Sequence, residues 1–246
     1  PKNLEDLISA VKSHQAEVGL AFDGDGDRLG VITPQGKIIW PDRQLMLYAR
    51  EVLKTHPGAE IIFDVKCSKF LADVIVKSGG KPLMYKTGHS LIKQKLKETG
   101  APLAGEMSGH MFFNDKWPGF DDGIYTGARL LEILGEFQGD LAQLFEAIPE
   151  GISTPELNIE VIESEKFGLV EKLKTAATLK FPDAHLIDID GMRIEFKDSW
   201  GLVRASNTMP CLVLRFEALT EAGLKQAQER FRMLFEKVAP EYRLPF

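Results

Sequence analysis

The chain has 246 residues, 44% of them hydrophobic, with 36 acidic and 30 basic side chains, a formal net charge of -6 and two cysteines. That composition suits one large core or two to three smaller domains; it offers no run of Lys or Arg to hold a nucleic-acid backbone and no apolar stretch near the ~20 residues that cross a bilayer. Cys67 and Cys211 lie far apart and fit neither a metal nor a disulfide spacing, so a reducing, cytoplasmic setting is expected, with no nucleic-acid partner and no membrane attachment.

The chain opens at Pro1, without an initiator Met or a basic-then-apolar leader, and is expected to be a fragment. Leu4, Leu7, Ile8 and Val11 recur at helical spacing over 4–14, and 18–22 reads as a short buried strand. A second strand, 29–33, follows, then a turn at Pro34, Gln35 and Gly36, a strand over 37–40 and a helix over 42–54. A domain boundary is expected near 34–41. Beyond it come alternating units: strand 60–65, helix 68–77, strand 82–85, helix 90–98, strand 103–106 and helix 121–135. Such alternation predicts a mixed or parallel sheet covered by helices. Gly79, Gly80 and Gly100 fall just past helix ends, where a left-handed cap is wanted.

Around 149–155 the composition turns to Pro, Gly, Ser and Thr, the texture of a linker. The last domain reads strand 157–161, helix 165–177, a hairpin turning at Asp190-Gly191, strands 201–205 and 212–217, and a closing helix 220–238. The expected class is α/β for the middle of the chain and α+β for its C-terminal part.

The most informative segment is Phe22-Asp23-Gly24-Asp25-Gly26-Asp27-Arg28, three carboxylates at alternate positions between two apolar strands. Such a loop can aim three oxygens at one point, as hard divalent cations require, and Arg28 adds a donor suited to phosphate. An EF-hand loop begun at Asp23 would need Gly at Arg28 and Glu at Pro34, and fails at both. An ordinary acidic turn remains the plain alternative, although three carboxylates beside apolar strands repel one another unless a cation neutralises them. On these residues the sequence resembles the α-D-phosphohexomutases, in particular their bacterial phosphomannomutase/phosphoglucomutase branch. The resemblance implies that Asp23, Asp25 and Asp27 ligate Mg²⁺, with a phosphoserine oxygen as a further ligand.

Gly105-Glu106-Met107-Ser108-Gly109-His110 follows a predicted strand; alone it is also an ordinary loop composition. The resemblance implies that Glu106 and Ser108 hold two ring hydroxyls, with His110 supporting the loop. Arg204-Ala205-Ser206-Asn207-Thr208 joins two strands and carries phosphate-binding groups, or is a polar hairpin loop. Within the family, Arg204, Ser206, Asn207 and Thr208 look like the loop that grips the phosphate not being transferred. Lys66, at a strand's C-terminal end, is a solvated lysine or, by likeness to a family lysine, a catalytic charge stabiliser together with Arg28. Thr87-Gly88-His89-Ser90 opens a helix whose N–H groups suit a phosphate; His89 is a substrate contact, and Ser90 is either part of this site or simply the helix N-cap.

The resemblance therefore implies a mixed α/β sheet domain at 38–149, flanked by the tail of a similar domain at 1–37 that carries the metal loop, plus a C-terminal α+β phosphate-binding domain at 150–246. It implies an isomerase that interconverts the 1- and 6-phosphates of glucose or mannose through a phosphoserine and a hexose 1,6-bisphosphate. No Ser-His-Asn-Pro type segment exists in these residues, so the missing N-terminal domains of the same chain are expected as partners and the isolated chain is expected to be inactive. Two other readings stay open. One is a non-catalytic phosphosugar-binding protein; the other is an aspartate-dependent phosphatase, although Asp27 occupies the place where such enzymes generally carry a hydroxyl.

Overall fold

A computed structural model describes residues 2–246, which divide into two compact units, one running to Glu150 and the other Gly151–Phe246. In the first unit a 3-10 turn (Lys2–Leu4) leads into helix α1 (Glu5–His14), followed by strands β1 (Gly19–Phe22), β2 (Leu29–Ile32) and β3 (Ile38–Ile39). These strands form an antiparallel sheet in the order β1-β2-β3. Helix α2 (Pro41–Thr55) begins with Pro at its first turn, where no amide donor is needed, and is buried almost all round.

The second sheet of this unit has the order β5-β4-β6-β7. Strands β4 (Glu60–Asp64), β5 (Lys81–Tyr85) and β6 (Leu103–Gly105) are parallel, and β7 (Met111–Phe113) returns antiparallel to β6. Parallel neighbours need crossover connections, here helices α3 (Lys69–Lys77) and α4 (His89–Thr99). The alternation along β4 explains why both sheet faces are covered: Ile61 and Phe63 join the core with α2 and α3, while Ile62 packs with Ile92 and Leu96 of α4. Burying each such side chain contributes about 1.5–3 kcal/mol. Helices α5 (Gly123–Glu136) and α6 (Leu141–Glu146) complete the unit, their N-termini capped by the carboxylates of Asp122 and Asp140.

The second unit is an antiparallel sheet in the order β10-β11-β12-β13-β8, with β9 also paired to β13. Its strands are β8 (Ile152–Ser153), β9 (Leu157–Glu160), β10 (His185–Ile187), β11 (Met192–Glu195), β12 (Ser199–Ala205) and β13 (Cys211–Ala218). Helices α7 (Lys166–Lys180) and α8 (Glu221–Val238) bury Leu173, Ala177, Phe231 and Phe235 against Val203, Leu214 and Phe216. The edge of Phe231 meets Phe216 at 5.1 Å between centroids, a favoured aromatic geometry.

The α/β and α+β architecture matches the class expected from the sequence, and Gly79 and Gly100, both at positive φ, follow α3 and α4. Three expectations need correction. The stretch 149–155 is not all linker, because Ile152 and Ser153 pair with β13. The short strand β7 and helix α6 went unread: β7 is a short apolar run without alternation, and α6 has a single turn and a half of pattern. Ser90 is not the N-cap of its helix; Gly88 is, and α4 already begins at His89. No helix among the described residues is long and apolar enough to cross a membrane.

Candidate active site

The carboxylate loop closes the β1–β2 hairpin, with Phe22 opposite Leu29 as the last ladder pair before it. The Gly26 amide donates to the Asp23 carbonyl at 3.2 Å, folding the loop back on itself. One carboxylate oxygen each from Asp23, Asp25 and Asp27 then lies within 4.8 Å of the others. Arg28 turns toward its own loop: its amide donates to Asp23 Oδ1 at 3.2 Å and its Nε pairs with Asp23 Oδ2. Burial would raise the Asp23 pKa, but the hydrogen bonds and charge of Arg28 outweigh it and hold this carboxyl below the ordinary range.

Asp27 differs from its neighbour. Its Oδ1 is buried and accepts no hydrogen bond among the described residues, with Arg28 Nε at 3.5 Å, an ion-pair distance only. A buried anionic oxygen without a donor is costly unless a cation meets it. The loop is backed by the start of α5, where the Gly123 amide donates to the Gly26 carbonyl at 3.0 Å. A Cβ on Gly123 would lie 2.8 Å from the carbonyl oxygens of both Gly26 and Arg28, so only glycine permits this approach.

The turn Glu106–Gly109 joins β6 to β7 and is closed by Glu106 N–H to His110 carbonyl at 2.9 Å and Gly109 N–H to Glu106 carbonyl at 3.1 Å. Glu106 is only 1% exposed, and its Oε1 accepts the Gly88 amide at 2.6 Å. His110 links this turn to the carboxylate loop: Nδ1 is 3.0 Å from Ser108 Oγ and 3.4 Å from Glu106 Oε2, while Nε2 is 3.3 Å from Asp27 Oδ2. Burial would lower the His110 pKa, yet the hydrogen bond and charge of Glu106, with the charges of Asp27 and Asp121, raise it above the usual histidine value. His89 stacks on His110 at 5.5 Å between ring centroids, and its Nδ1 lies 3.5 Å from Asp121 Oδ2. Lys93 pairs with the other Asp121 oxygen at 2.9 Å.

Lys66 and Thr87 are drawn in by a residue the sequence did not single out. Asp64, at the C-terminal end of the central strand β4, is fully buried. Its Oδ2 accepts from Thr87 Oγ1 at 3.1 Å and lies 3.9 Å from Lys66 Nζ. Its Oδ1 accepts from the Met107 amide and from Cys67 Sγ, each at 3.1 Å. One carboxylate therefore ties together the ends of three parallel strands, the crevice that such sheets offer to ligands. Burial raises the Asp64 pKa, assisted by the nearby Glu106 charge and opposed by Lys66, Cys67 and Met107. The signal in the sequence was a carboxylate two residues before Lys66 at a strand's end. Asp121 is a second residue the sequence did not single out: the pattern puts it at the start of a helix over 121–135, whereas it forms an isolated bridge with Phe112 and the helix begins at Gly123, capped by Asp122.

In the second unit, Ser206, Asn207 and Thr208 stand in the connection from β12 to β13, and Arg204 lies near the end of β12. Ser206 is buried and its Oγ accepts the amides of Thr208 at 3.4 Å and Met209 at 3.2 Å, whereas Asn207 and Thr208 are exposed. Arg204 is 5% exposed and its Nε donates to Asp190 Oδ2 at 2.9 Å. Lys166, at the start of α7, donates to the Met209 carbonyl at 3.3 Å and so braces the same loop.

Comparison with known proteins shows the family of the chain. Family models for phosphoglucomutase/phosphomannomutase match the chain in succession: alpha/beta/alpha domain II over residues 1–36, alpha/beta/alpha domain III over 40–151 and the C-terminal domain over 156–234. A phosphomannomutase/phosphoglucomutase of Pseudomonas putida is 55% identical over 246 residues, covering 100% of this chain and 53% of the relative. A phosphoglucomutase of Neisseria gonorrhoeae is 55% identical over 238 residues, covering 96% of this chain and 51% of the relative. Among solved structures, a phosphoglucomutase/phosphomannomutase family protein from Burkholderia thailandensis aligns with a TM-score of 0.94 at 55% identity, over 100% of this chain and 52% of that one. The chain spans about half the length of the relatives it matches. With successive family domains matched along nearly its whole length, the chain belongs to the phosphoglucomutase/phosphomannomutase family of phosphohexomutases.

Proposed function

We propose that this chain is the C-terminal part of a cytoplasmic hexose-phosphate mutase acting on glucose or mannose phosphates. In this reading, residues 1–37 are the tail of one domain, 38–149 the sugar-binding domain and 150–246 the phosphate-binding domain. The observation that carries it is the junction of two loops through His110, whose two ring nitrogens reach Ser108 of the sugar turn and Asp27 of the carboxylate loop. The names of relatives at 55% identity support the same chemistry.

Phosphoryl transfer demands positioning and neutralisation of spreading charge more than covalent assistance from the protein. The donor set of the first loop fits a divalent cation: three hard oxygens share one small region, and Asp27 Oδ1 is buried without a hydrogen bond. Asp23, Asp25 and Asp27 would hold Mg²⁺. Bound there, Mg²⁺ supplies charge neutralisation to the phosphoryl group. Lys66, with Asp64 to orient it, contributes positive charge at the strand ends. Thr87, Gly88 and His89 bind the substrate at the start of α4, where the N–H groups and the helix dipole favour an anion.

Ser108 presents a hydroxyl to the sugar, fixed by His110, and Glu106 shapes the turn through the Gly88 amide while offering its second oxygen. Arg28 screens the carboxylates of its own loop and adds charge for the transferring group. Arg204, Ser206, Asn207 and Thr208 bind a phosphate. The phosphoryl group is exchanged with a phosphoserine of the preceding domains by way of a hexose 1,6-bisphosphate. A coupled assay converting glucose 1-phosphate to glucose 6-phosphate tests this: the full-length protein should turn over with Mg²⁺ and the isolated chain should not. Robust turnover by the isolated chain would defeat the proposal.

A further inference from the structure

The second unit holds an arginine whose neighbours do more than bury it. Arg204 is the last residue but one of strand β12, just before the loop 206–210, and only 5% of it is exposed. A guanidinium so buried must be paired, and it has five donors in a rigid fork to satisfy. One of them is taken by Asp190, whose Oδ2 accepts from Nε at 2.9 Å. Another, Nη2, is buried and donates to no group among the described residues. A buried cationic donor left in that state is costly, unlike a surface arginine whose remaining donors face water.

Asp190 reaches Arg204 through a tight turn. Residues Asp190-Gly191 precede β11, and β11 pairs with β12 so that Met192 stands opposite Val203. Gly191 adopts φ of +81° and lies against the backbone of Arg204: a Cβ there would be 2.6 Å from Arg204 Cβ and 2.5 Å from the Val203 carbonyl oxygen. Both counts restrict the position to glycine, one through the left-handed backbone and one through the space available. The turn is thereby held against the arginine, and its carboxylate meets the guanidinium at Nε. Fixing one edge of the fork sets the plane of the whole group, since the guanidinium is rigid.

We propose that Asp190 is a positioning residue for anion recognition: it clamps Arg204 through Nε, at the turn permitted by Gly191, so that the donor Nη2 is reserved for a phosphate oxygen of the sugar phosphate. The inference rests on the reading of Arg204 as a phosphate-binding residue and adds the residue that orients it. It predicts that Asp190 acts on substrate only through Arg204. The carboxylate partly offsets the arginine's charge, so its value to an anionic ligand lies in geometry and not in electrostatics.

The test uses the full-length mutase, with steady-state kinetics for glucose 1-phosphate on Asp190→Ala, Asp190→Asn, Arg204→Ala and the double variant Asp190→Ala/Arg204→Ala. Arg204→Ala should raise KM by about tenfold or more, the scale of a lost charge-assisted hydrogen bond. Asp190→Ala should raise KM about fivefold to tenfold with kcat changed less than about threefold, and Asp190→Asn, which can still accept from Nε, should fall between it and the parent. The double variant should be no worse than Arg204→Ala alone, because non-additivity marks residues that act through one another. A purely structural turn would instead multiply the two losses. If Asp190→Ala does not fold, Asp190→Asn paired with Arg204→Ala is read in the same way. An unchanged KM in Arg204→Ala would overturn the phosphate reading itself. A raised KM there, with Asp190 variants like the parent or a multiplied double variant, would overturn the role of Asp190 alone.

Discussion

The two loop systems hold their polar residues by opposite means. In the first unit the groups hold one another: Asp64 gathers Thr87, Met107 and Cys67, Glu106 takes the Gly88 amide, and His110 spans Ser108 and Asp27. In the second unit the loop largely holds itself, with Ser206 Oγ accepting two of its own amides and Asn207 and Thr208 exposed at its tip. A buried network transmits the loss of one member to the rest, whereas an exposed tip loses only the contact it makes. Substitutions should therefore spread in the first unit and stay local in the second.

The largest effect should come from the carboxylate loop. In the full-length protein Asp25→Asn removes one ligand charge from a site with three protein carboxylates, and Mg²⁺-dependent turnover should fall on the order of 100-fold. Unchanged magnesium dependence in an activity titration would break the metal assignment. Next is Asp64→Asn, which turns an acceptor for Thr87, Met107 and Cys67 into a group that must donate on one side. Unfolding midpoints should show a loss of about 1–3 kcal/mol, and kinetics should show both KM and kcat impaired. If only stability changed, the network would be scaffold and not site.

Asn207→Ala and Thr208→Ala test the other half of the comparison. Each should raise KM about twofold to tenfold while leaving the melting temperature within a degree or two of the parent. A stability loss as large as that of Asp64→Asn would erase the contrast.

The smallest effect concerns pH. The folded chain raises the His110 pKa above 6.5, so its ion pairs stabilise the fold fully below that value, and the contribution is lost as pH rises through the folded pKa. In metal-free buffer, thermal stability should decline modestly over that window, and His110→Gln should flatten the decline. A slope that survives the substitution would assign it to another group.

Much of this was legible in the sequence because it is local. The alternating carboxylates of 23–27 pointed to a loop that gathers three oxygens, which the fold does bring together, and the apolar run at β4 flanked by helical patterns pointed to a covered parallel sheet. The expectation for Ser90 failed because a hydroxyl before a helical pattern is the usual cap, whereas the backbone here begins its helix one residue earlier, from Gly88. What the sequence withheld is long-range. Nothing near Asp64 in the chain shows that Thr87 and Met107 will converge on it, and nothing near Asp190 shows that it will meet Arg204. Arg28 reads in sequence as a phosphate donor, but the fold turns its Nε onto Asp23, a choice that depends on how the hairpin closes.

The account depends on three carboxylates in one hairpin loop acting as a single divalent-cation site. Its most direct test is the titration of Mn²⁺, as a paramagnetic substitute for Mg²⁺, into the purified chain, followed by electron paramagnetic resonance of the free ion. The account predicts one saturable site that Mg²⁺ displaces and that Asp27→Asn abolishes. No saturable binding, or binding that Asp27→Asn leaves unchanged, would contradict it.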